Sequence, residues 1–346
     1  MTVYGERRKK VLALAKGTPA IAMTGANMFY LTDFWGGGAA LVEPDKTVVI
    51  TSPLEKERAE ALGHEVEVVP VKGWADVSKE VEKRTKGRPA LADDNMGLKG
   101  RFKRDPELFL KARRVKDKVE IERITKASNG LDQIFRMLEG FIAPGRTEWE
   151  VAAEVMKVAT LNGLTPAGGD SALSPTIVAS GPNGALPHSE LGGRKIKKGD
   201  FVVADMYFRY NGYNSDETRT FSVGTPTKEM TNNYEAVLEA QQAALSKIAP
   251  GTPCMDVHNA AVAVLKKHRV DKYLNHSIGH GVGIDIHEYP QVNRVNKDRL
   301  LVNDVITDEP GVYFKGKYGI RIEDTVQTAR KPVVLTKYTK RLVVCG

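Results

Sequence analysis

Apolar positions in the first third of the chain switch repeatedly between two spacings. Val11, Leu12 and Leu14 fall on an amphipathic stretch that predicts a helix, while the short apolar runs 21–23, 39–42 and 47–51 predict strands. The last two are separated by Glu43-Pro44-Asp45-Lys46, whose composition predicts a tight turn. Helical spacing returns over 54–62 and 76–84, with strand-like runs at 66–71 and 90–93. An alternation of this kind predicts a small domain of sheet and helices with its own core.

A charged stretch at 113–118 marks a boundary, dividing the chain into an N-terminal domain, 1–114, and a larger one, 115–346. Beyond it, Ile121, Ile124, Leu131, Ile134 and Leu138 keep helical spacing up to Pro144-Gly145. Thr147 with Glu150 forms a capping box that starts a second helix, and Gly163 stops it. The segment Ile142-Ala143-Pro144-Gly145 then recurs as Ile248-Ala249-Pro250-Gly251, again between two helical stretches, with Thr252 as cap and Pro253 at the first turn. After each helix pair comes a matching strand, GDFVVAD ending in Asp205 and NDVITDE ending in Glu309, with equal spacing from Asp200 to Asp205 and from Asp304 to Glu309. Two copies of a helix–helix–sheet unit packed about a pseudo-twofold would bring those carboxylates face to face. The expected fold class is therefore α+β.

Length and composition narrow the function class. A chain of 346 residues is long enough for two cores, and 41% hydrophobic with 27% charged residues is a globular composition. Two cysteines, Cys254 and Cys345, make no disulfide framework, and no apolar run resembles a signal peptide or a membrane span, so a cytoplasmic location without membrane attachment is expected. The excess of 51 basic over 43 acidic residues gives a net charge of +8, but the basic residues are scattered, and clusters such as Arg7-Arg8-Lys9-Lys10 read as solvated helix faces. No nucleic-acid partner is expected.

The chemistry lies in the C-terminal half. Asp205 and Asp216 flank a hairpin signal, Asn211-Gly212; His280 lies in GHGVGIDIHEYP, Glu309 precedes Pro310-Gly311, and Glu323 follows an apolar run. Each has an ordinary reading taken singly, since an Asp closing a strand is usually a turn residue and an acid beside a turn is usually solvated. Together they form a hard, oxygen-rich set with one imidazole, suited to two divalent cations sharing carboxylates, with Mn, Fe, Co or Zn as occupants. Without a cation, four carboxylates in one small cavity would have to protonate. The segment around His280 holds two of the seven histidines, so His287 remains for proton transfer or hydrogen bonding, and its glycines allow close backbone approach. His188 stands in the Gly/Pro-rich loop ASGPNGALPHSE, where composition alone reads as a surface loop.

These residues in this order resemble the metallopeptidases of the pita-bread fold, which include methionine aminopeptidase, aminopeptidase P and prolidase. The resemblance runs from Val115 to about Arg330. SGPNGALPH and the HEYP after His280 are most similar to the proline-specific branch, and NMFYLTDF at 27–34 looks like the creatinase/prolidase N-terminal domain. Creatinase shares both domains but lacks the ligands, and the non-enzymatic relatives lose them too. The resemblance implies two metal ions per chain, Mn or Co foremost. Asp216 and Glu323 would bridge them, Asp205 would hold one, and His280 and Glu309 the other. It also implies that Glu309 relays a proton, that His287 and His188 contact the reacting substrate, and that Arg321 supports the site by hydrogen bonds. The activity implied is an exopeptidase cutting the Xaa-Pro bond, a dipeptidase first and an aminopeptidase P as the alternative, acting as a homodimer on proline-containing peptides. A peptide- or nucleic-acid-binding module of the same fold is the reading from another class. Two positions depart from the family: Tyr207 stands where a glycine is common, and Gln291 where a basic residue often holds the dipeptide carboxylate, with Arg294 as the nearby cation.

Overall fold

The computed structural model describes residues 2–94, 98, 100–167 and 176–346, which fall into two units, Met1–Arg114 and Val115–Gly346. In the first, α1 (Val3–Leu14), β1 (Ala20–Ala22), α2 (Gly25–Thr32), β2 (Ala39–Val42), β3 (Thr47–Thr51), α3 (Lys56–Leu62), β4 (Val66–Pro70), α4 (Trp74–Thr85), β5 (Ala90–Ala92), β6 (Phe102–Arg104) and α5 (Glu107–Arg114) follow one another. The strands make one sheet in the order β4-β3-β2-β1-β5-β6, with β2–β3 an antiparallel hairpin as the turn composition predicts. Its core gathers Ile21, Leu41, Val48 and Ile50 against Val77 and Val81 of α4. The α2 helix was not legible as a helix, because seven of its eight residues are buried and no polar face interrupts the apolar run.

The second unit contains α6 (Lys118–Phe141), α7 (Glu148–Leu161), β7 (Thr165–Pro166), β8 (Thr176–Ser180), β9 (Phe201–Tyr210) and β10 (Tyr213–Val223). These are followed by α8 (Lys228–Leu245), α9 (Cys254–Lys267), β11 (Gly279–Gly281), β12 (Glu288–Val292), β13 (Val305–Asp308), β14 (Gly311–Phe314), β15 (Tyr318–Arg321), β16 (Asp324–Gln327), β17 (Val333–Val334) and β18 (Val343–Cys345). One sheet runs β18-β10-β9-β7 with β8 also paired to β9, a second runs β12-β11-β13-β16-β17, and β14-β15 is a separate ribbon.

The internal repeat is visible in the hydrogen bonds. Gly145 and Gly251 both have positive φ, +93° and +90°, and their amides bond Ile196 O at 2.9 Å and Leu300 O at 2.7 Å. Asp200 and Asp304 each accept from a backbone amide three residues upstream, Lys197 and Leu301, both at 2.8 Å. Each turn delivers the strand that follows, β9 or β13. Helices α6 and α7 cover one sheet through Leu131, Ile134, Leu138, Val151 and Val155 against Val202, Ala204 and Phe208. Helices α8 and α9 cover the other through Val237, Ala240, Val257, Ala261 and Leu265 against Ile306 and Val326. Each of the larger side chains, the Leu, Ile, Val and Phe, contributes about 1.5–3 kcal/mol when fully buried.

Two expectations need correction. The capping box at Thr147 and Glu150 is present in both directions, but α9 begins at Cys254 with Pro253 in the cap position and no side-chain cap. Its leading amides are satisfied instead by a neighbouring chain segment, Cys254 N bonding Asp298 O at 2.9 Å and Met255 N bonding Asn296 O at 2.8 Å, so a side-chain cap is superfluous. Asp205 is also not near the end of its strand, since β9 continues to Tyr210. Alternation along β9 explains the extension: Ala204, Met206 and Phe208 go to the helix-covered core, leaving Asp205 and Tyr207 on the opposite face.

Candidate metal centre

The β9–β10 hairpin turns at Asn211-Gly212, both with positive φ as a tight two-residue turn requires. Its register sets Asp205 opposite Thr218 and Tyr207 opposite Asp216, so these four side chains share one face. The second sheet meets this hairpin along β10. Glu323 N bonds Thr218 O at 3.0 Å, and Thr325 Oγ1 donates to Asp216 O at 2.8 Å while accepting from Asp216 N at 3.1 Å. That seam places Glu323, just before β16, beside Asp216. From the other side β11 carries His280, and the end of β13 carries Glu309.

All five residues singled out as ligands converge. Ligand atoms of Asp216, His280 and Glu323 lie within 4.8 Å of one another. His280 Nε2 is 3.8 Å from Asp216 Oδ2 and 3.4 Å from Glu309 Oε1. Asp205 pairs with Arg321 and raises the proton affinity of Asp216, Glu309 and Glu323 through its charge. His280 Nδ1 donates to Gly281 O at 3.0 Å, which leaves Nε2 as a lone pair aimed at the carboxylates. Burial first, with the neighbouring His287 second, pushes the His280 pKa down to about 3, so the ring is neutral, as a ligand must be.

The carboxylates are held under strain of charge. Burial, then Glu323 and Asp205, pushes Asp216 well above the usual carboxylate range, and burial, then Glu309 and Asp205, does the same to Glu323. Glu309 is pushed up to about 7 by burial, which Arg321 opposes and Asp205 reinforces. Arg321 borders the group and its charge opposes these upward shifts. Asp205 Oδ1, Asp216 Oδ1 and Glu323 Oε1 are buried and receive no hydrogen bond. Buried carboxylate oxygens without donors beside a neutral imidazole are what divalent cations would satisfy, and the donor set of oxygens and one nitrogen fits them.

A supporting layer surrounds the group. Thr218 Oγ1 donates to Glu323 Oε2 at 2.6 Å and accepts from Arg321 Nε at 3.1 Å. Arg321 Nη1 also donates to the Tyr313 hydroxyl at 2.7 Å, so that hydroxyl donates in turn to His276 Nε2 at 2.9 Å. His276 Nδ1 lies 4.0 Å from Glu309 Oε2. Arg321 was expected in this role, whereas His276, Tyr313 and Thr218 were missed, as was Thr307, whose Oγ1 donates to Glu309 Oε1 at 3.2 Å and accepts from His280 N at 3.0 Å. His276 stands four residues before His280, and a wider window around that glycine-rich segment would have included it.

His287 and His188 occupy the open side. The His287 ring centroid is 4.3 Å from that of His280, and its own pKa is lowered by burial and then by His188. His188 is exposed and within electrostatic reach of both His287 and His276. Glu288, the neighbour of His287, turns inward and pairs with the buried Lys116 at 3.0 Å. Burial, and then the neighbouring Asp205 and Asp216, push the Tyr207 phenol up and keep it protonated. Gln291 folds back, its amide donating to Glu288 O at 3.2 Å, and Arg294 is exposed; burial lowers the pKa of His258 on α9, and the charge of Arg294 adds to that shift.

Residues 122–329 match metallopeptidase family M24, and residues 11–104 match the creatinase/prolidase N-terminal domain. The chain belongs to metallopeptidase family M24. Among its relatives in that family, a protein of Pyrococcus furiosus named Xaa-Pro dipeptidase is 34% identical over 319 residues, covering 87% of each chain. The crystal structure of the prolidase from Pyrococcus horikoshii superposes with a TM-score of 0.87 at 30% identity, covering 98% of this chain and 100% of that one. An X-Pro aminopeptidase from Thermotoga maritima gives 0.86 at 28% identity, covering 94% and 97%. The two-domain α+β architecture is thus that of the M24 metallopeptidases with a creatinase-type N-terminal domain. Membership implies divalent metal ions, and no helix among the described residues is long and apolar enough to cross a membrane.

Proposed function

We propose that this protein is a metal-dependent Xaa-Pro dipeptidase. The observation that carries the proposal is the convergence of Asp216, His280 and Glu323, flanked by Asp205 and Glu309, with three buried carboxylate oxygens left without donors. Relatives named Xaa-Pro dipeptidase over most of the chain support the substrate class. Asp216 and Glu323 would be shared between two ions, Asp205 would complete one site, and His280 with Glu309 the other. Divalent ions there would supply a nucleophilic water at neutral pH and polarise the scissile carbonyl.

The chain's own residues do the rest. Glu309 accepts the proton released by the attacking water and passes it towards the departing proline nitrogen. His287, neutral and facing the open side, donates a hydrogen bond to the oxyanion that develops on the scissile carbonyl. His188 holds the substrate amide from the opposite loop. Arg321 fixes Asp205, and Thr218 fixes Glu323, so that neither carboxylate rotates as charge develops.

Mn²⁺ or Co²⁺ are the occupants we favour, with Zn²⁺ or Fe²⁺ as alternatives, in a cytoplasmic homodimer whose residues 1–114 and 115–346 are its two domains. The two cysteines are free and buried, which suits a reducing compartment. An aminopeptidase P acting on longer peptides is the second reading, favoured by one observation: Gln291 is neutral and its amide is engaged with Glu288 O. Exhaustive chelation should abolish Ala-Pro hydrolysis, and added Mn²⁺ or Co²⁺ should restore it. Full turnover in metal-free protein would contradict the proposal.

A further inference from the structure

Two loops bring histidines to the open side of the centre, and the one carrying His188 is anchored by a residue that neither the metal ligands nor the helix it belongs to requires. Glu148 is the first residue of α7 and is fully buried. An acid at that position would ordinarily serve the helix N-terminus. Here that work is done by its neighbours, since Thr147 and Glu150 cap each other's backbone amides.

The Glu148 carboxylate is spent on the loop instead. Oε1 accepts from Ser180 N at 2.8 Å, from Ser180 Oγ at 2.7 Å and from Asn183 Nδ2 at 3.1 Å, while Oε2 accepts from Asn183 Nδ2 at 3.0 Å. Arg194 extends the grip, donating to Ser180 Oγ at 2.5 Å and to Asp200 at 2.6 and 3.0 Å. Asp200 is the turn residue that launches β9 towards Asp205. Further along the loop, a Cβ added to Gly319 would lie 1.9 Å from Gly184 O, so the loop backbone rests directly on β15. Pro187 O, one residue before His188, accepts from Arg321 Nη1 at 3.2 Å.

We propose that Glu148 is a positioning residue for His188: it fixes the start of the 180–188 loop, Gly319 and Arg321 fix its middle and end, and the imidazole is thereby held at the substrate. The inference rests on the substrate-contacting role given to His188 above. Burying a carboxylate is costly unless its oxygens are hydrogen-bonded, and among the described residues every donor to Glu148 belongs to residues 180 and 183. Removing it therefore loosens the start of the loop, from which the rest is hung, while the core of Val151, Val155 and Val178 stays packed. Glutamine keeps one acceptor oxygen, and a flipped Asn183 amide can meet its NH₂ group, so Glu148→Gln should be much milder than Glu148→Ala.

The test is a double-mutant cycle on Ala-Pro hydrolysis with E148A, H188A and the double variant, each with metal content measured. E148A should lower kcat/KM by about 10–100-fold at unchanged metal content, since small displacements of a positioned group cost that much. In the H188A background it should cost less than about 2-fold. A turnover-independent readout accompanies it: in protein loaded with a diamagnetic divalent ion, the His188 ring ¹⁵N signals should shift or broaden in E148A while those of His268 do not. Equal penalties in both backgrounds, or an unmoved His188 signal, would overturn the inference. Wild-type kinetics in H188A alone would instead remove the role assigned to His188, leaving the ring signal to decide on Glu148. If E148A does not fold, E148Q carries the same cycle with a smaller expected loss.

Discussion

Asp216 Oδ2 and His280 Nε2 face each other across 3.8 Å, a carboxylate and a neutral imidazole too far apart to share a proton. One comes from the hairpin of the first repeat and the other from β11 of the second, so the gap between them is the seam of the duplicated domain. Glu323 closes the same triangle and has a buried oxygen with no donor. We read that gap as ion-sized.

Replacing Glu323 with Ala removes a carboxylate assigned to both ions. Metal content should fall from two per chain to at most one, with Ala-Pro turnover lost and the fold retained. Elemental analysis after gel filtration checks this. Two tightly bound ions in the variant would end the bridging assignment.

His287→Ala should behave in the opposite way. Its ring borders His280 but lies on the open side, so both ions should remain while kcat falls by about 10²–10⁴-fold, the usual worth of such a group. Stoichiometric metal loss with the fold intact would make His287 a ligand.

Metal and pH should be coupled with a definite sign. Glu309 titrates at about 7 in the folded, metal-free protein against a reference of 4.5, and Asp216 and Glu323 are raised as well. A raised folded-state pKa contributes stability that is fully present below the reference value and lost as pH climbs through the folded value. The chelated protein should therefore lose Tm between about pH 5 and 8 through these groups. Because ions replace protons there, the gain in Tm on adding Mn²⁺ should grow over the same interval. Thermal unfolding with and without metal measures it, and a metal gain that shrinks towards pH 8 would contradict the account.

Much of this centre was legible in the sequence because its parts are local. Asp205, the Asn211-Gly212 turn and Asp216 form one hairpin, and the repeated Ile-Ala-Pro-Gly segments mark where the second copy begins. What escaped notice depends on distant pairings. Thr218 matters because Glu323, 105 residues away, accepts its hydroxyl, and Tyr313 because Arg321 and His276 meet on it. The start of α9 was misjudged for the same reason: its amides are met by residues 296 and 298, some forty positions downstream, and not by a local cap.

Specificity turns on the group that follows the proline ring. A dipeptidase must recognise the carboxylate that follows the proline ring, and a cation built for that pairing is left unpaired when the chain continues, which discriminates strongly. Gln291 cannot supply that charge, and Arg294 lies beside His258, so either Arg294 must turn towards the substrate or a partner chain must provide the cation. The decisive measurement is kcat/KM for Ala-Pro, Ala-Pro-Ala and Ala-Ala at fixed Mn²⁺. We expect Ala-Pro to be cut much faster than both. Equal or faster cleavage of Ala-Pro-Ala would make the enzyme an aminopeptidase P, and equal cleavage of Ala-Ala would remove proline specificity altogether.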